Sequence, residues 1–220
     1  MTSILKTDEI QSQNGGAVVK MQTLKHPSAS GNNITLDSSN NVSLGGTISA
    51  GTIGGNVVFP AGGTGNPISV AVIADQKSQG GDGGTFSPGA WRDRDLNTEL
   101  YDSDGIVSIE SDALTFTLAG AGTYYISAIA PTLMVDNHKI RLYNTTDSTV
   151  VATGVSCYSN NGTSVGNDAT LTTVFAITGS KSFKIQHRGS TQKTSNGFGP
   201  SMNVSGSVEI YTTVTIIKLK

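Results

Sequence analysis

The sequence LTFTLAGAGTYYISAIA, residues 114–130, contains two runs of β-forming residues on either side of a glycine-containing turn. Leu114–Leu118 and Thr123–Ala130 are rich in leucine, aromatic and β-branched residues, while Ala119–Gly122 supplies the small residues that a tight turn needs. Two such runs joined by a short turn predict an antiparallel β-hairpin. This hairpin is informative about the whole chain, because its pattern recurs through the C-terminal two thirds.

Similar runs, separated by polar turns, continue from residue 67 to the C-terminus. They are Ile68–Ile73, Lys139–Tyr143, Thr149–Thr153, Thr170–Ile177, Ser182–His187 and Val208–Leu219. Roughly eight short antiparallel strands joined by turns are typical of a two-sheet sandwich. Apolar residues at helical spacing extend over no more than about two turns. The sequence therefore predicts an all-β protein whose C-terminal part is an antiparallel β-sandwich.

Residues 67–220 also carry an ordered series of motifs. They are AWRDRDLNTE at 90–99, DGIV at 104–107, FTLAGAGTYY at 116–125, RLYNTTDS at 141–148, FKIQHR at 183–188 and GFG at 197–199. This series resembles the C1q/tumour-necrosis-factor-like jelly roll, in the version found at the ends of marine phage fibres. The resemblance implies a jelly-roll head that packs as a homotrimer about a threefold axis and that binds a partner without catalysis.

Residues 32–66 show a second pattern, in which short apolar runs alternate with polar or glycine turns. The apolar positions are Ile34, Leu36, Val42, Leu44, Ile48 and Ile53. A strand-and-turn unit of three or four residues cannot bury its own apolar face, so such units need neighbours. We predict a β-rich shaft and hinge over residues 32–66, in which three chains wrap one axis. The alternative is a flexible linker, which gives no reason for the regular apolar spacing.

Residues 1–31 form a third segment. Ile4, Leu5 and Ile10 give it a small apolar face, which is too little to form an independent core. We predict that this face anchors the protein to another virion protein; the alternative is a frayed terminus. The opening MTSILKTDEI is similar to the N-termini of cyanophage and pelagiphage virion proteins, which implies a bacteriophage protein.

Composition excludes two classes of partner. The formal net charge is −2 and only 14% of the residues are charged, so phosphate neutralisation along a nucleic acid is not expected. The longest nearly apolar run, Tyr124–Val135, is far shorter than the roughly 20 residues that cross a bilayer. The first residues lack the charged-then-apolar pattern of a signal peptide. We therefore expect synthesis in the host cytoplasm and no membrane insertion.

Titratable residues give little sign of catalysis. His26, His138 and His187 lie in different segments and have no neighbour at metal-ligand spacing, so structural roles are expected for them. Cys157, the sole cysteine, is expected to be a small buried hydrophobe. We expect no enzyme activity, no cofactor and no metal.

Two acidic clusters are also interpreted as structural. Asp93, Asp95 and Glu99 alternate with arginines, which indicates charge-paired strand positions better than the paired carboxylates of a glycosidase. The segment from Asp102 to Gly105 lacks the ligand set of an EF-hand and indicates an Asx-type turn. The alternative interpretation is an ion site between Asp102 and Asp112.

Connections in an antiparallel sandwich alternate between its two ends. The tight turns at 119–122, 144–148 and 178–181 should share the base, and the connections at 136–138, 158–168 and 189–202 should share the tip. Binding residues concentrate on loops, although long polar loops can also merely tolerate insertions. The predicted receptor-binding residues are Asn137, His138, Asn160, Asn161, Asn196 and Phe198.

These features favour a phage tail-fibre or receptor-binding protein, located in the virion. As a homotrimer it would dock to other virion proteins through its N-terminus and contact a host surface glycan or protein, with avidity compensating for weak single contacts. One alternative is a capsid decoration, head-fibre or tail-adaptor protein that binds only other virion proteins. A depolymerase and a cellular C1q-like lectin are weaker alternatives.

Overall fold

A computed structural model of the protein describes residues 68–219 and three short strands near the N-terminus. The short strands are β1 (Thr23–Leu24), β2 (Ile34–Leu36) and β3 (Val42–Leu44), and they form an antiparallel sheet in that order. Strands β2 and β3 lie where the sequence predicts the first two strand units of the shaft. Wrapping by three chains, the three-part division of the chain and the boundaries at 31 and 66 stay predictions. The anchor residues Ile4, Leu5 and Ile10 lie outside the described residues.

The chain divides into two compact units, residues 1–60 and 61–220, and the second contains two larger antiparallel sheets. One sheet has the order β13-β9-β15-β4-β6. Its strands are β4 (Ser69–Lys77), β6 (Thr98–Asp102), β9 (Gly122–Leu133), β13 (Gly166–Ile177) and β15 (Glu209–Lys218). We call it the five-stranded sheet.

The other sheet has the order β11-β10-β14-β8-β7, with β12 paired to β10 and β5 paired to β14. Its strands are β5 (Arg92–Asp93), β7 (Val107–Ile109), β8 (Phe116–Leu118), β10 (Asp136–Asn144), β11 (Thr149–Thr153), β12 (Cys157–Ser159) and β14 (Lys181–Gly189). We call it the seven-stranded sheet. Among the described residues, none belongs to a helix long and apolar enough to cross a membrane.

The order of strands in these sheets is that of a jelly roll. Successive long strands alternate between the sheets. β9, β13 and β15 belong to the five-stranded sheet, whereas β10 and β14 belong to the seven-stranded sheet. Within each sheet, strands distant in sequence become neighbours, as β4 and β15 do along eight paired positions. The prediction of an all-β antiparallel jelly roll is therefore confirmed.

The core lies between the two sheets and follows the period of two along each strand. In β9, Tyr124, Ile126, Ala128 and Ala130 are buried, while the residues between them face outward. The facing sheet contributes the buried side chains of Phe116, Ile140, Leu142, Phe183 and Ile185. Each large apolar side chain removed from water contributes about 1.5–3 kcal/mol.

Strand registers define two ends of the sandwich. Ser69 pairs with Lys218, and Lys218 pairs with Tyr124, so the start of β4, the end of β15 and the start of β9 share one end, the base. The turns 119–122 and 178–181 lie at this base, because Gly122 pairs with Ile177. Lys77 pairs with Glu209 at the opposite end, the tip. The distribution of tight turns and long loops agrees with the alternation expected from the sequence.

One predicted loop and several strands need correction. The tip turn between β9 and β10 is Met134–Val135, because β10 already begins at Asp136. Met134 and Asp136 have φ of 58° and 57°, which lets the chain reverse within this short turn. The short strands β5, β6, β7 and β12 carry charged or polar residues and were not assigned from the sequence.

Candidate functional site

Three of the predicted binding residues meet at the tip. Asn137 is exposed near the start of β10, and its carbonyl accepts a hydrogen bond from the Ser190 hydroxyl at 3.2 Å. Asn160 and Asn161 form the turn after β12, where the Asn161 amide donates to the Asp136 carboxylate at 3.0 Å. Since Asp136 and Asn137 are adjacent, these asparagines belong to one region of the surface.

His138 is not a tip-loop residue, and that prediction is wrong. It lies inside β10 with 3% of its surface exposed, and its Nδ1 is 3.0 Å from Nε2 of His187. The Thr132 hydroxyl lies 3.2 Å from the other ring nitrogen. Burial, reinforced by the positive charge of Arg94, lowers the pKa of His138 to about 4. His138 is therefore a neutral structural histidine, as is usual for one inside a sheet.

Asn196 and Phe198 lie in the loop between β14 and β15 but are turned inward. The Phe198 ring is half-buried beneath the Arg94 guanidinium, whose carbon is 4.2 Å from the ring centroid. Phe86 packs edge-on against the same ring at 5.2 Å. The side-chain oxygen of Asn196 is buried and has no hydrogen-bond partner. These two residues hold the loop in place and present little surface to a receptor.

Arg94 is the buried centre of the tip. Its guanidinium donates to Thr212 Oγ1 at 2.6 Å and to the carbonyls of Phe198 at 3.0 Å and Pro131 at 3.3 Å. Desolvation lowers its pKa to about 10, against the opposing effect of Asp75 and Asp95. Arg94 thereby ties β9, β15 and the long tip loop together. The alternating RDRD sequence gave no sign that one of its arginines would be buried.

The acidic residues do not form a catalytic pair. The Asp93 carboxylate pairs with Lys184 at 2.7 Å, whereas that of Asp95 pairs with Lys77 at 2.5 Å. Both carboxylates are charge-paired, as predicted, but with lysines and not with the neighbouring arginines, and Asp95 lies just outside β5. Glu99 is exposed on β6. Within residues 68–219, no group of three His, Cys, Asp or Glu side chains is placed to hold a metal ion.

The acidic segment near residue 102 is a turn held by its own carboxylate. Asp102 accepts hydrogen bonds from the amides of Asp104, Ile106 and Val107 at 2.9–3.3 Å. The first of these is the Asx-type contact that the sequence predicts. Three of the roughly four acceptor positions of this carboxylate are thus used by backbone amides.

The tip also carries a short exposed apolar stretch that no sequence pattern predicts. Met202 is 80% exposed, and Val204, Val208 and Ile210 are 41–52% exposed. The Glu209 carboxylate fixes this loop by accepting the amides of Met202, Asn203 and Gly80. Apolar side chains held in solvent on a tethered loop are candidates for contact with another molecule.

The outer surface of the seven-stranded sheet contains a cavity of about 400 Å³ near the tip. It is lined by Trp91, Asn137, His138, Lys139, Ser156, Cys157, Arg188, Gly189 and Ser190. Trp91 packs against Arg141, whose guanidinium carbon is 4.3 Å from the Trp91 ring. Cys157 is half-buried here and its thiol points to the Asp168 carbonyl at 3.4 Å, so it is less enclosed than expected.

No protein-family model matches the chain, and no curated protein sequence matches it. Among solved structures, the chain is similar to murine APRIL at pH 5.0, with a TM-score of 0.45 and 8% identity over 70% of this chain and 100% of that one. It is similar to the globular domain of the zebrafish complement 1qA protein, with a TM-score of 0.44, 15% identity and coverage of 70% and 98%. For Eiger TNF from S. frugiperda the TM-score is 0.45, the identity 13% and the coverage 70% and 94%. The description of this protein as a jelly roll rests on its own strand order and registers.

Proposed function

We propose that the chain is a non-enzymatic fibre subunit of a virion, which assembles as a homotrimer and binds the host surface with its jelly-roll tip. The observation that carries the proposal is the chemical contrast between the outer faces of the two sheets. An uncharged sheet face left in water suggests a surface that another molecule covers.

The outer face of the five-stranded sheet is uncharged over the lower and middle part of β13, β9, β15 and β4, whereas the edge strand β6 carries the exposed Glu99. Cross-strand pairing puts Val174, Tyr125, Ile217 and Val70 in one row over four strands near the base. The next row consists of Thr172, Ser127, Thr215 and Val72. Within these rows Val174 is 57% exposed, and one row higher Ile129 is 44% exposed. Uncharged positions that include tyrosine are typical of the centre of a protein interface.

The outer face of the seven-stranded sheet is charged by comparison. Its outward positions on β10 and β14 include Lys139, Arg141, Lys184 and Arg188. Charges are depleted from interface centres, which favours the five-stranded sheet as the assembly face. The occupant we propose is a second copy of the chain, and the number three comes from the sequence resemblance of residues 67–220.

Sedimentation of the full chain at micromolar concentration tests this assembly. A species of three times the chain mass is expected, because the uncharged face would otherwise remain in water. A stable monomer at that concentration would overturn the proposal.

The location in a virion is supported by the N-terminal sequence. The opening MTSILKTDEI is similar to phage virion N-termini, and Ile4, Leu5 and Ile10 would provide the docking face. Electron microscopy of phage particles with a gold-labelled antibody against residues 67–220 tests the location. Label at the tail is expected; label at the head would reassign the protein to the capsid surface, and unlabelled particles would remove it from the virion.

The host-contacting region we propose differs from the one that the sequence predicts. It keeps Asn137, Asn160 and Asn161, and it adds the exposed apolar stretch from Met202 to Ile210. It omits His138, Asn196 and Phe198, whose side chains pack into the interior. Several trimers on one particle would strengthen weak contacts by avidity.

A further inference from the structure

Two cations face each other across neighbouring strands beside the Trp91 cavity. Lys139 in β10 and Arg188 in β14 are register partners, and both side chains project from the outer face of the seven-stranded sheet. Among residues 68–219, neither cation has an ion-pair or hydrogen-bond partner for its side chain. Like charges directly opposite each other destabilise a sheet, and an anion bound between them would relieve this repulsion.

A third cation lies nearby, and the neighbouring carboxylate is already engaged. Arg141, two residues along β10, donates to Gln186 at 2.8 Å and stacks on Trp91. Burial lowers the pKa of Arg141, and the charge of Arg188 adds to this effect. Asp93, the acidic residue of this region, is held by Lys184 and Gln186. Of the residues that the structure describes, none that lines the cavity has a carboxylate.

The remaining walls suit a sugar ring. Trp91 supplies a flat aromatic surface, and its indole N–H has no hydrogen-bond partner among the described residues. Asn137, Ser156 and Ser190 place exposed polar side chains at the rim. A volume of about 400 Å³ is within the size range of small-molecule sites. Arginine binds a carboxylate through two parallel hydrogen bonds, which gives orientation as well as charge recognition.

We propose that this cavity binds an acidic sugar residue, with its carboxylate between Lys139 and Arg188 and its ring against Trp91. The inference rests on the proposed function, since it names the class of host-surface molecule that the head recognises: a glycan containing carboxylate sugars. The cationic pair supplies the charge recognition, and the tryptophan supplies the preference for a ring over a simple anion.

The protein has a single tryptophan, so its fluorescence reports directly on this cavity. The full chain is titrated separately with glucuronate, glucose and acetate. Glucuronate is expected to change Trp91 emission in the millimolar range, with glucose and acetate at least about tenfold weaker. Equal responses to glucose or to acetate would overturn the proposal, as would no response to glucuronate up to about 100 mM.

Substitutions separate the cavity from a general effect of charge. Arg188→Gln and Lys139→Gln should each weaken glucuronate binding roughly tenfold, because a charge-assisted contact is lost. Lys193→Gln, which removes an unpaired cation outside the cavity lining, is the control and should bind as the wild type does. Wild-type affinity in Arg188→Gln would contradict the assignment.

Stability provides a second measurement on the same variants. Because Arg188→Gln relieves a like-charge pair, its thermal midpoint at low salt should equal or exceed that of the wild type while its sugar affinity falls. If Arg188→Gln lowered both the thermal midpoint and the glucuronate affinity, Arg188 would have a structural role. If the protein sediments as a trimer but its Trp91 emission does not respond to glucuronate, the sugar-binding inference is wrong while the proposed assembly stands.

Discussion

At the scale of single residues, the tip is built around a buried basic cluster. The Arg94 guanidinium donates to neutral oxygen acceptors, and the negative charges of Asp75 and Asp95 also act on it. Two histidines, His138 and His187, contact each other nearby. Burial lowers the pKa of both histidines, and Arg94 contributes in the same direction. A protonated histidine in this position would add a second buried positive charge beside that of Arg94. The cluster is therefore stable only while both rings are neutral.

This cluster predicts that the protein loses stability in mild acid. The pKa of His138 is 6.5 without its environment and about 4 in the folded protein. Between these values the unfolded chain binds more protons, so the free energy of unfolding should fall as the pH drops, by up to about 1.4 kcal/mol per pH unit for each histidine. Urea denaturation at about pH 7 and about pH 5 measures the difference. Equal midpoints at the two pH values would contradict the neutral-histidine assignment.

Residue roles were only partly accessible from the sequence. The alternation with arginines predicts that Asp93 and Asp95 are charge-paired, but it does not identify the partners, which are lysines of other strands. The burial of Arg94 does not follow from this alternation, because its neighbours in RDRD have the same polarity. The opposition of Lys139 and Arg188 depends on the register of two strands 49 positions apart, which no local pattern encodes.

At the scale of elements, the long strands were recognised because they bury one face and therefore alternate in sequence. Thr149–Thr153 was predicted with its observed bounds, and β9, β10, β13 and β14 extend their predicted cores by a few residues. The short strands β5, β6, β7 and β12 are not predicted from the sequence, because pairing with the backbone of neighbouring strands holds them in place. β5, for example, is Arg92–Asp93 on the edge of β14 and has no apolar side chain to signal it.

Close packing between elements makes Gly154 a sensitive position. A Cβ added there would lie 2.4 Å from the carbonyl oxygen of Thr170, which belongs to the rigid strand β13. Gly154→Ala should therefore lower the free energy of unfolding by about 1–3 kcal/mol. Urea denaturation measures the change. Gly179→Ala is the control, since a Cβ at Gly179 meets nothing within 4 Å, and comparable losses in both variants would refute the packing argument.

At the scale of the whole molecule, the sandwich has two chemically different outer faces. The alternation of apolar and polar residues predicts strands with an inner and an outer side, and it thereby predicts the all-β fold class. It does not reveal which outer residues share a row, because Val174, Tyr125, Ile217 and Val70 come from four separate strands. The assembly face therefore emerges only when the registers are known.

A charge placed on the proposed assembly face should dissociate the trimer without unfolding the protomer. Val174→Asp introduces a carboxylate at a position that is 57% exposed in the single chain, so the protomer can solvate it. Sedimentation should show monomers, because an unpaired charge would otherwise be buried between subunits. Val150→Asp, on β11 of the opposite sheet and 46% exposed, should remain trimeric. A trimeric Val174→Asp variant would place the subunit contact elsewhere.

The pairing of Ser69 with Lys218 has a practical consequence for engineering the head. The first and last strands of the jelly roll are adjacent, so the chain enters and leaves the sandwich at the same end. A fluorescent protein or an affinity tag fused behind β15 would emerge beside the base and leave the tip loops unobstructed. The same proximity makes the head suitable for circular permutation with a short linker across the base.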